Sequence, residues 1–250
     1  MSAVQVEVFD DAQAVAEAAA GYIAGQARVA VAARGRFLLA VSGGRTPWVM
    51  LAALATRPLP WSAIEVFQVD ERVAPAGDPD RNLVHLREAL LQHAPLQPEQ
   101  VHAMPVEAAD LTRAARDYAA ILESCSGVPP VLDLVHLGLG PDGHTASLVP
   151  GDPSLEVSDA DVTLSGPYQG HRRMTLTYPV IDRARRVMWV VTGAEKAAML
   201  RRLLDGDRAI PAGRVCRDRA IAFVDRDAAG DVERAQFPGS NGAVPARGNA

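Results

Sequence analysis

Along the chain, short runs of β-branched and apolar residues alternate with longer stretches whose apolar positions recur every three or four residues. The first pattern is that of strands and the second that of amphipathic helices, so the alternation predicts βα units feeding a largely parallel sheet. Strands are expected at Val4 to Phe9, Phe37 to Val41, Ile64 to Val69, Leu132 to Leu137, Met174 to Thr177, Val187 to Thr192 and Ile221 to Val224. Helices are expected at Ala12 to Ala33, Pro47 to Leu54, Leu83 to Gln92, Leu111 to Glu123 and Ala194 to Leu204. FLLAV and MWVVT are apolar at nearly every position, as in strands covered on both faces. The expected fold class is α/β: an open, mostly parallel twisted sheet with helices on both faces, Rossmann-like, in a single domain over residues 1–227. Residues 228–250 lose the periodicity and are rich in Gly, Pro, Asn and Ala, which predicts a loosely ordered C-terminal tail.

Composition narrows the class. Of 250 residues, 48% are hydrophobic and 22% charged, as in soluble globular proteins. The 25 basic and 30 acidic residues leave a net charge of −5 with no block of one sign, so no nucleic acid and no membrane surface is expected as partner. No apolar run of ~18 residues is present to span a bilayer. The start, MSAVQVEVFDDAQ, is no signal peptide, and a cytoplasmic location is expected. Cys125 and Cys216 are too few for a disulfide framework and lack the paired spacing of a zinc site, and both are expected as buried thiols. The arginine excess reads as a codon bias, but Lys196 is the single lysine, which that bias leaves unexplained.

Ligands of open α/β sheets bind outside the carboxyl ends of the strands, so the loops that follow the strands hold the candidate chemistry. Ser42-Gly43-Gly44-Arg45-Thr46-Pro47 joins a strand to a helix; its glycines can aim N–H groups at an anion, Thr46 can cap, and Pro47 suits a first turn. An ordinary glycine-containing turn is the plain alternative. Asp70-Glu71-Arg72 places three consecutive charges at a strand end, where they project into a solvated cleft or pair with one another, and Arg72 offers a planar fork to a phosphate. GLGPDG at residues 138–143 matches GxGxxG, but Pro141 and Asp142 fill the turn and no acid ends a next strand, so a dinucleotide site is a weak reading. The same loop sets the imidazole of His144 two residues from the carboxylate of Asp142, a pairing suited to a general base. A loop histidine without a task is the alternative there; His136, on the preceding strand, reads as a core residue, and His85, His93, His102 and His171 as surface or helix residues. In TGAEK, Lys196 falls in a helix's first turn, against the helix dipole, which suits a point charge for an anionic ligand.

Taken together, VSGGRTP, VDERVAP with DPDRN, LVHLGLGPDGHTASLVPG and RMTLTYPVIDRARRVMWVVTGAEK resemble the 6-phosphogluconolactonase family in content and order. The resemblance implies hydrolysis of 6-phosphoglucono-δ-lactone in the oxidative pentose phosphate pathway, with no cofactor and no catalytic metal. His144 would then activate water, and Asp142 and Asp70 would orient the imidazole or the substrate. Gly43, Gly44 and Thr46 would hold phosphate or sugar hydroxyls, and Arg72, Lys196 and Arg173 would supply positive charge. Gly140 and Gly143 are the candidate oxyanion donors, and Ser147 lacks the elbow of a nucleophile. Arg81, Leu83 and Val149 depart from the family's pattern and bear on pocket shape. A glucosamine-6-phosphate isomerase/deaminase shares the fold, but its pattern has a glutamate where Val149 stands and an aromatic where Arg72 stands. A non-catalytic sugar-phosphate sensor domain would follow a helix-turn-helix, whereas this chain opens on a strand. The sequence sets no oligomeric state, and a monomer satisfies it.

Overall fold

The structure, a computed structural model, describes residues 3–230. In chain order it contains β1 (Gln5–Phe9), α1 (Ala12–Arg34), β2 (Phe37–Val41), α2 (Arg45–Ala55), β3 (Ile64–Gln68), β4 (Asp70–Arg72), α3 (Asn82–Leu86), β5 (Val101–His102), α4 (Leu111–Ser126) and β6 (Leu134–Leu137). These are followed by β7 (Val162–Tyr168), β8 (His171–Leu176), α5 (Tyr178–Arg183), β9 (Val187–Val191), α6 (Ala197–Asp205), β10 (Ala220–Asp225) and α7 (Arg226–Ala229). The tail expected over residues 228–250 lies outside the described residues from 231 onward.

Seven strands form one parallel sheet in the order β1-β10-β9-β6-β2-β3-β5. Both faces are covered, and strand alternation divides the side chains between two cores. Phe37, Leu39 and Val41 of β2 pack with α1 and α2, while Leu38 and Ala40 face α4 and the segments around α5 and α6. β9 does the same, Met188 and Val190 to one side, Trp189 and Val191 to the other. Local sequence sets the helix limits. Asp11 caps α1 by accepting from the Ala14 N–H at 2.8 Å, and Gly35, at φ 75°, ends it. Asp110 caps α4 in the same way through Arg113 N–H.

The run Met174 to Thr177, expected as a strand of the main sheet, does not join it. Its residues up to Leu176 end β8, the middle strand of a separate antiparallel sheet ordered β4-β8-β7. The hairpin between β7 and β8 turns on Gln169 and Gly170, both at positive φ (52° and 87°), as a tight two-residue turn requires. Because β4 follows β3 after one residue, this small sheet is held at the carboxyl end of the large one: Val69 donates to Val41 O at 3.0 Å and accepts from Leu176 N at 2.8 Å.

Candidate active site

From β2 the chain moves outward to β3 and β5, whereas β6 lies on the other side of β2 and leads toward β9. This reversal opens a crevice between the loops after β2 and β6. The two loops touch: a β-carbon at Gly138 would lie 3.8 Å from Gly43 O. A cavity of about 200 Å³ lies there, lined by Ser42, Gly43, Gly44, Asp70, Arg72, Asn82, Gly138, Leu139, Gly140, His144, Ala146, Arg173 and Lys196. An adjoining space of about 190 Å³ shares Gly43, Gly44, Gly138, Leu139 and Lys196 and adds Arg45, Thr46, Thr192 and Glu195.

His144 faces the cavity with its ring fixed from behind. Its Nδ1 lies 2.6 Å from Asp142 Oδ1, and Asp142 Oδ2 accepts the Tyr168 hydroxyl at 3.0 Å. Burial would raise the Asp142 carboxyl, but hydrogen bonds from the His144 N–H and ring and from Tyr168 outweigh it and hold the group below its ordinary range. An ionised Asp142 keeps the proton on Nδ1, so Nε2, without a partner among the described residues, presents its lone pair to the cavity. The loop permits this because residue 140 has no side chain: a β-carbon there would lie 2.0 Å from His144 Nδ1. Ala146, at φ 51°, adds a strained residue on the cavity wall.

Positive charge gathers in the same cavity. Arg72 and Arg173 are register partners across β4 and β8, and Lys196 reaches in from the turn before α6. None of the three forms an ion pair among the described residues. Arg173 is buried beneath the Tyr168 ring, its guanidinium carbon 5.0 Å from the ring centroid. Burial and then the neighbouring Arg72 pull its pKa below the ordinary arginine value, and burial does the same to Lys196 against the opposing pull of Glu195 and Asp142. Three cations lining one cavity without an ion pair among the described residues call for an anion. The N–H groups of Gly43 and Gly44, which meet no acceptor among the described residues, point the same way.

Glu71 does not enter the cavity, contrary to the picture of three charges in a cleft. It is fully buried and accepts from Gln68 Nε2 and from the N–H groups of Arg72, Asn82 and Leu83 at 2.7–2.9 Å. Arg81 pairs with it at 3.2 Å and also reaches Glu107. Arg81 is therefore a buried counter-ion that fixes the loop, and neither it nor Leu83 or Val149 lines the cavity. Asp70 does, held by Ser147 Oγ at 2.6 Å and by Asn82 Nδ2; Ser147, itself buried, serves Asp70.

Gly140 and Gly143 are ruled out as oxyanion donors, since Gly140 N–H donates to His144 O and Gly143 N–H to Gly140 O. Thr46 does not cap α2, which begins at Arg45 after Gly44; its hydroxyl meets Thr192 Oγ1 at 2.7 Å in the adjoining space. His136 is in the core, its Nδ1 facing the Ser42 N–H and its pKa pushed down to about 3 by burial. His102 lies on β5, stacked on Phe67, and Cys216 is exposed and Cys125 half-buried, not buried as expected. Tyr168 carried no signal in the sequence, because its strand was not expected and its role depends on a hairpin that returns it to a distant loop.

Comparison with known proteins matches the family described as glucosamine-6-phosphate isomerases/6-phosphogluconolactonase to residues 10–223. The 6-phosphogluconolactonase of Synechocystis sp. is 40% identical over 196 residues, covering 77% of this chain and 81% of that protein. The 6-phosphogluconolactonase of Streptomyces coelicolor is 35% identical over 253 residues, covering 94% and 97%. Among solved structures, 6-phosphogluconolactonase from Trypanosoma brucei superposes with a TM-score of 0.82 at 28% identity, covering 92% of this chain and all of that one. Among the described residues no helix is long and apolar enough to cross a membrane.

Proposed function

The chain belongs to the glucosamine-6-phosphate isomerase/6-phosphogluconolactonase family, and from that premise we propose that it hydrolyses 6-phospho-D-glucono-1,5-lactone to 6-phospho-D-gluconate in the oxidative pentose phosphate pathway. The observation that carries the reading is the cavity itself: it is lined together by a histidine held by a carboxylate, by Arg72, Arg173 and Lys196, and by the Gly43-Gly44 turn. The phosphate sits against Arg72, Arg173, Lys196 and the Gly43 and Gly44 amides, and Asp70 orients sugar hydroxyls. Charge-assisted hydrogen bonds of this kind contribute ~1.5–3 kcal/mol each.

His144 Nε2 takes a proton from a water as its oxygen attacks the lactone carbonyl, forming a tetrahedral intermediate. The intermediate collapses by expelling the ring oxygen, which receives the proton back from His144; one water is consumed, and the carboxylic acid formed gives up its proton to solvent as the carboxylate. A lactone is an activated ester, so positioning plus one base suffices and no step calls for a cofactor or metal. The isomerase branch of the family moves protons at carbon and needs further acid–base groups; Val149 and Arg72 stand where its pattern has a glutamate and an aromatic, and the relatives compared above are lactonases. The substrate's phosphate keeps it from crossing membranes, which supports the cytoplasm as the working compartment.

The test generates the lactone in situ from glucose 6-phosphate and follows its opening with and without protein. Acceleration above the spontaneous rate is expected, and no acceleration would sink the reading. His144→Ala is expected to remove ~10²–10⁴ of the enzymatic rate while retaining 6-phosphogluconate binding; near-full turnover in that variant would dismiss His144 as the base.

A further inference from the structure

At the β5 edge of the main sheet, outside the cavity lining, a second group of side chains is left unused by the lactone chemistry. Glu65 of β3, His102 of β5 and Cys125 in the last turn of α4 each bring one donor atom to a common point, all within 4.8 Å of one another. His102 Nε2 lies 2.5 Å from Glu65 Oε2 and 3.9 Å from Cys125 Sγ. We propose that Glu65, His102 and Cys125 form a zinc site whose fourth ligand is water.

Strand alternation explains the convergence. Phe67 is the register partner of His102, so Glu65, two residues earlier, shares its face of the sheet, the face that α4 covers. The imidazole plane is fixed by stacking on Phe67 at 4.4 Å between centroids and 18° between planes. The His102 carbonyl is held by the hydroxyl of the fully buried Tyr118 at 3.1 Å. Donor type and number also fit. A carboxylate, an imidazole and a thiolate with one open position make the mixed tetrahedral set that zinc takes, and zinc–ligand lengths of ~2.0–2.3 Å imply ligand separations of roughly 3.3–3.7 Å. Glu65 and His102 then part by under ~1 Å and the sulfur closes by a few tenths, within side-chain rotation.

Charge favours the cation over the bare cluster. With a divalent cation bound and the thiol proton released to solvent, a carboxylate, a thiolate and a neutral imidazole surround two positive charges, a neutral assembly suited to a half-buried place. The ligands are separated by 37 and 23 residues, so spacing along the sequence gave no sign of them. The site ties the two-residue edge strand β5 to its neighbour β3 and to α4, a structural clip independent of turnover.

The probe is Co(II) added to the untagged, reduced protein, followed by competition with Zn(II). The expected result is one equivalent bound with a thiolate-to-cobalt charge-transfer band in the near ultraviolet, bleached by Zn(II). Cys125→Ser abolishes the band, and His102→Ala weakens zinc binding by roughly 100-fold or more, both without change in lactone hydrolysis. The wild-type protein supplies a test that needs no variant: Zn(II) should markedly slow alkylation of Cys125, whose reactive thiolate the metal would hold, while exposed Cys216 reacts as before. Absence of the band, a band that survives Cys125→Ser, or equal alkylation of Cys125 with and without metal would each overturn the proposal.

Discussion

Replacing Asp142 by asparagine keeps the side chain's shape and removes its charge. In the native site the carboxylate meets His144 Nδ1 at 2.6 Å and the Tyr168 hydroxyl at 3.0 Å. When His144 takes the proton of water its ring becomes imidazolium, so the contact with Asp142 turns into an ion pair only on the way to the transition state. Interactions that strengthen there lower the barrier, whereas interactions equal in both states do not. A hydrogen bond to a charged group contributes ~1.5–3 kcal/mol, and ~1.4 kcal/mol is a factor of ten, which brackets the loss at roughly 10- to 150-fold. The pair is incompletely dry, with 19% of the His144 and 35% of the Asp142 side chain exposed. Solvent screening therefore places the expected fall in kcat in the lower part of that range, at ~10- to 40-fold. In Asp142→Asn the new amide can also turn its NH₂ group toward Nδ1 and hold the wrong tautomer, which acts in the same direction. The assay is lactone opening at several concentrations with the spontaneous rate subtracted, alongside direct binding of 6-phosphogluconate. Unchanged kcat refutes the positioning argument; a rise in KM with kcat intact would move Asp142 into substrate binding.

Two further outcomes follow from the same geometry. Lys196→Ala is expected to raise KM by roughly 10- to 100-fold with a smaller change in kcat, since it deletes one charge-assisted phosphate contact; an unchanged KM would contradict that contact. His136 is fully buried with a pKa of about 3, against an ordinary value of 6.5. Between those values the unfolded chain takes up a proton that the folded one refuses. Stability therefore falls as pH drops below ~6.5, by up to ~1.4 kcal/mol per pH unit, and is untouched by this group above ~7. Urea midpoints at pH 7.5 and pH 5 should differ less in His136→Gln than in the parent, and parallel shifts in the two proteins would count against the buried neutral imidazole.

The large sheet was legible because its strands are local, apolar and punctuated. FLLAV, IEVFQV and MWVVT announce themselves by composition, and the loops after them hold Gly43, Gly44, His144 and Lys196 at predictable strand ends. The small sheet was not. β4 is three charged residues, and β7 reads VTLSGPY, with apolar positions broken by Ser, Gly and Pro; in the large sheet the two-residue edge strand β5 escaped for the same reason. Such segments become strands through their partners, a contribution that no local pattern expresses. Tyr168 and the placement of Arg173 beside Arg72 came only with that sheet. The oxyanion reading failed for a related reason: whether an N–H is free depends on where the loop folds back, and the amides of Gly140 and Gly143 are engaged in holding the His144 loop closed.

The triplet Asp70-Glu71-Arg72 shows how a chain of net charge −5 presents a cationic wall to a phosphate. As bare sequence, two acids and one base next to a site for an anion look self-defeating. As a strand, the triplet alternates: Asp70 and Arg72 share the face that lines the cavity and Glu71 takes the other. On that other face Glu71 is neutralised by Arg81 and by three backbone N–H groups, so its charge is both paired and turned away from the ligand. Without Arg81, Glu71 would be an uncompensated buried charge. The arginine that departs from the family's pattern thereby balances the charge behind the cavity wall, although it never touches the cavity. Charge at this site is set less by which residues are present than by which strand face each occupies.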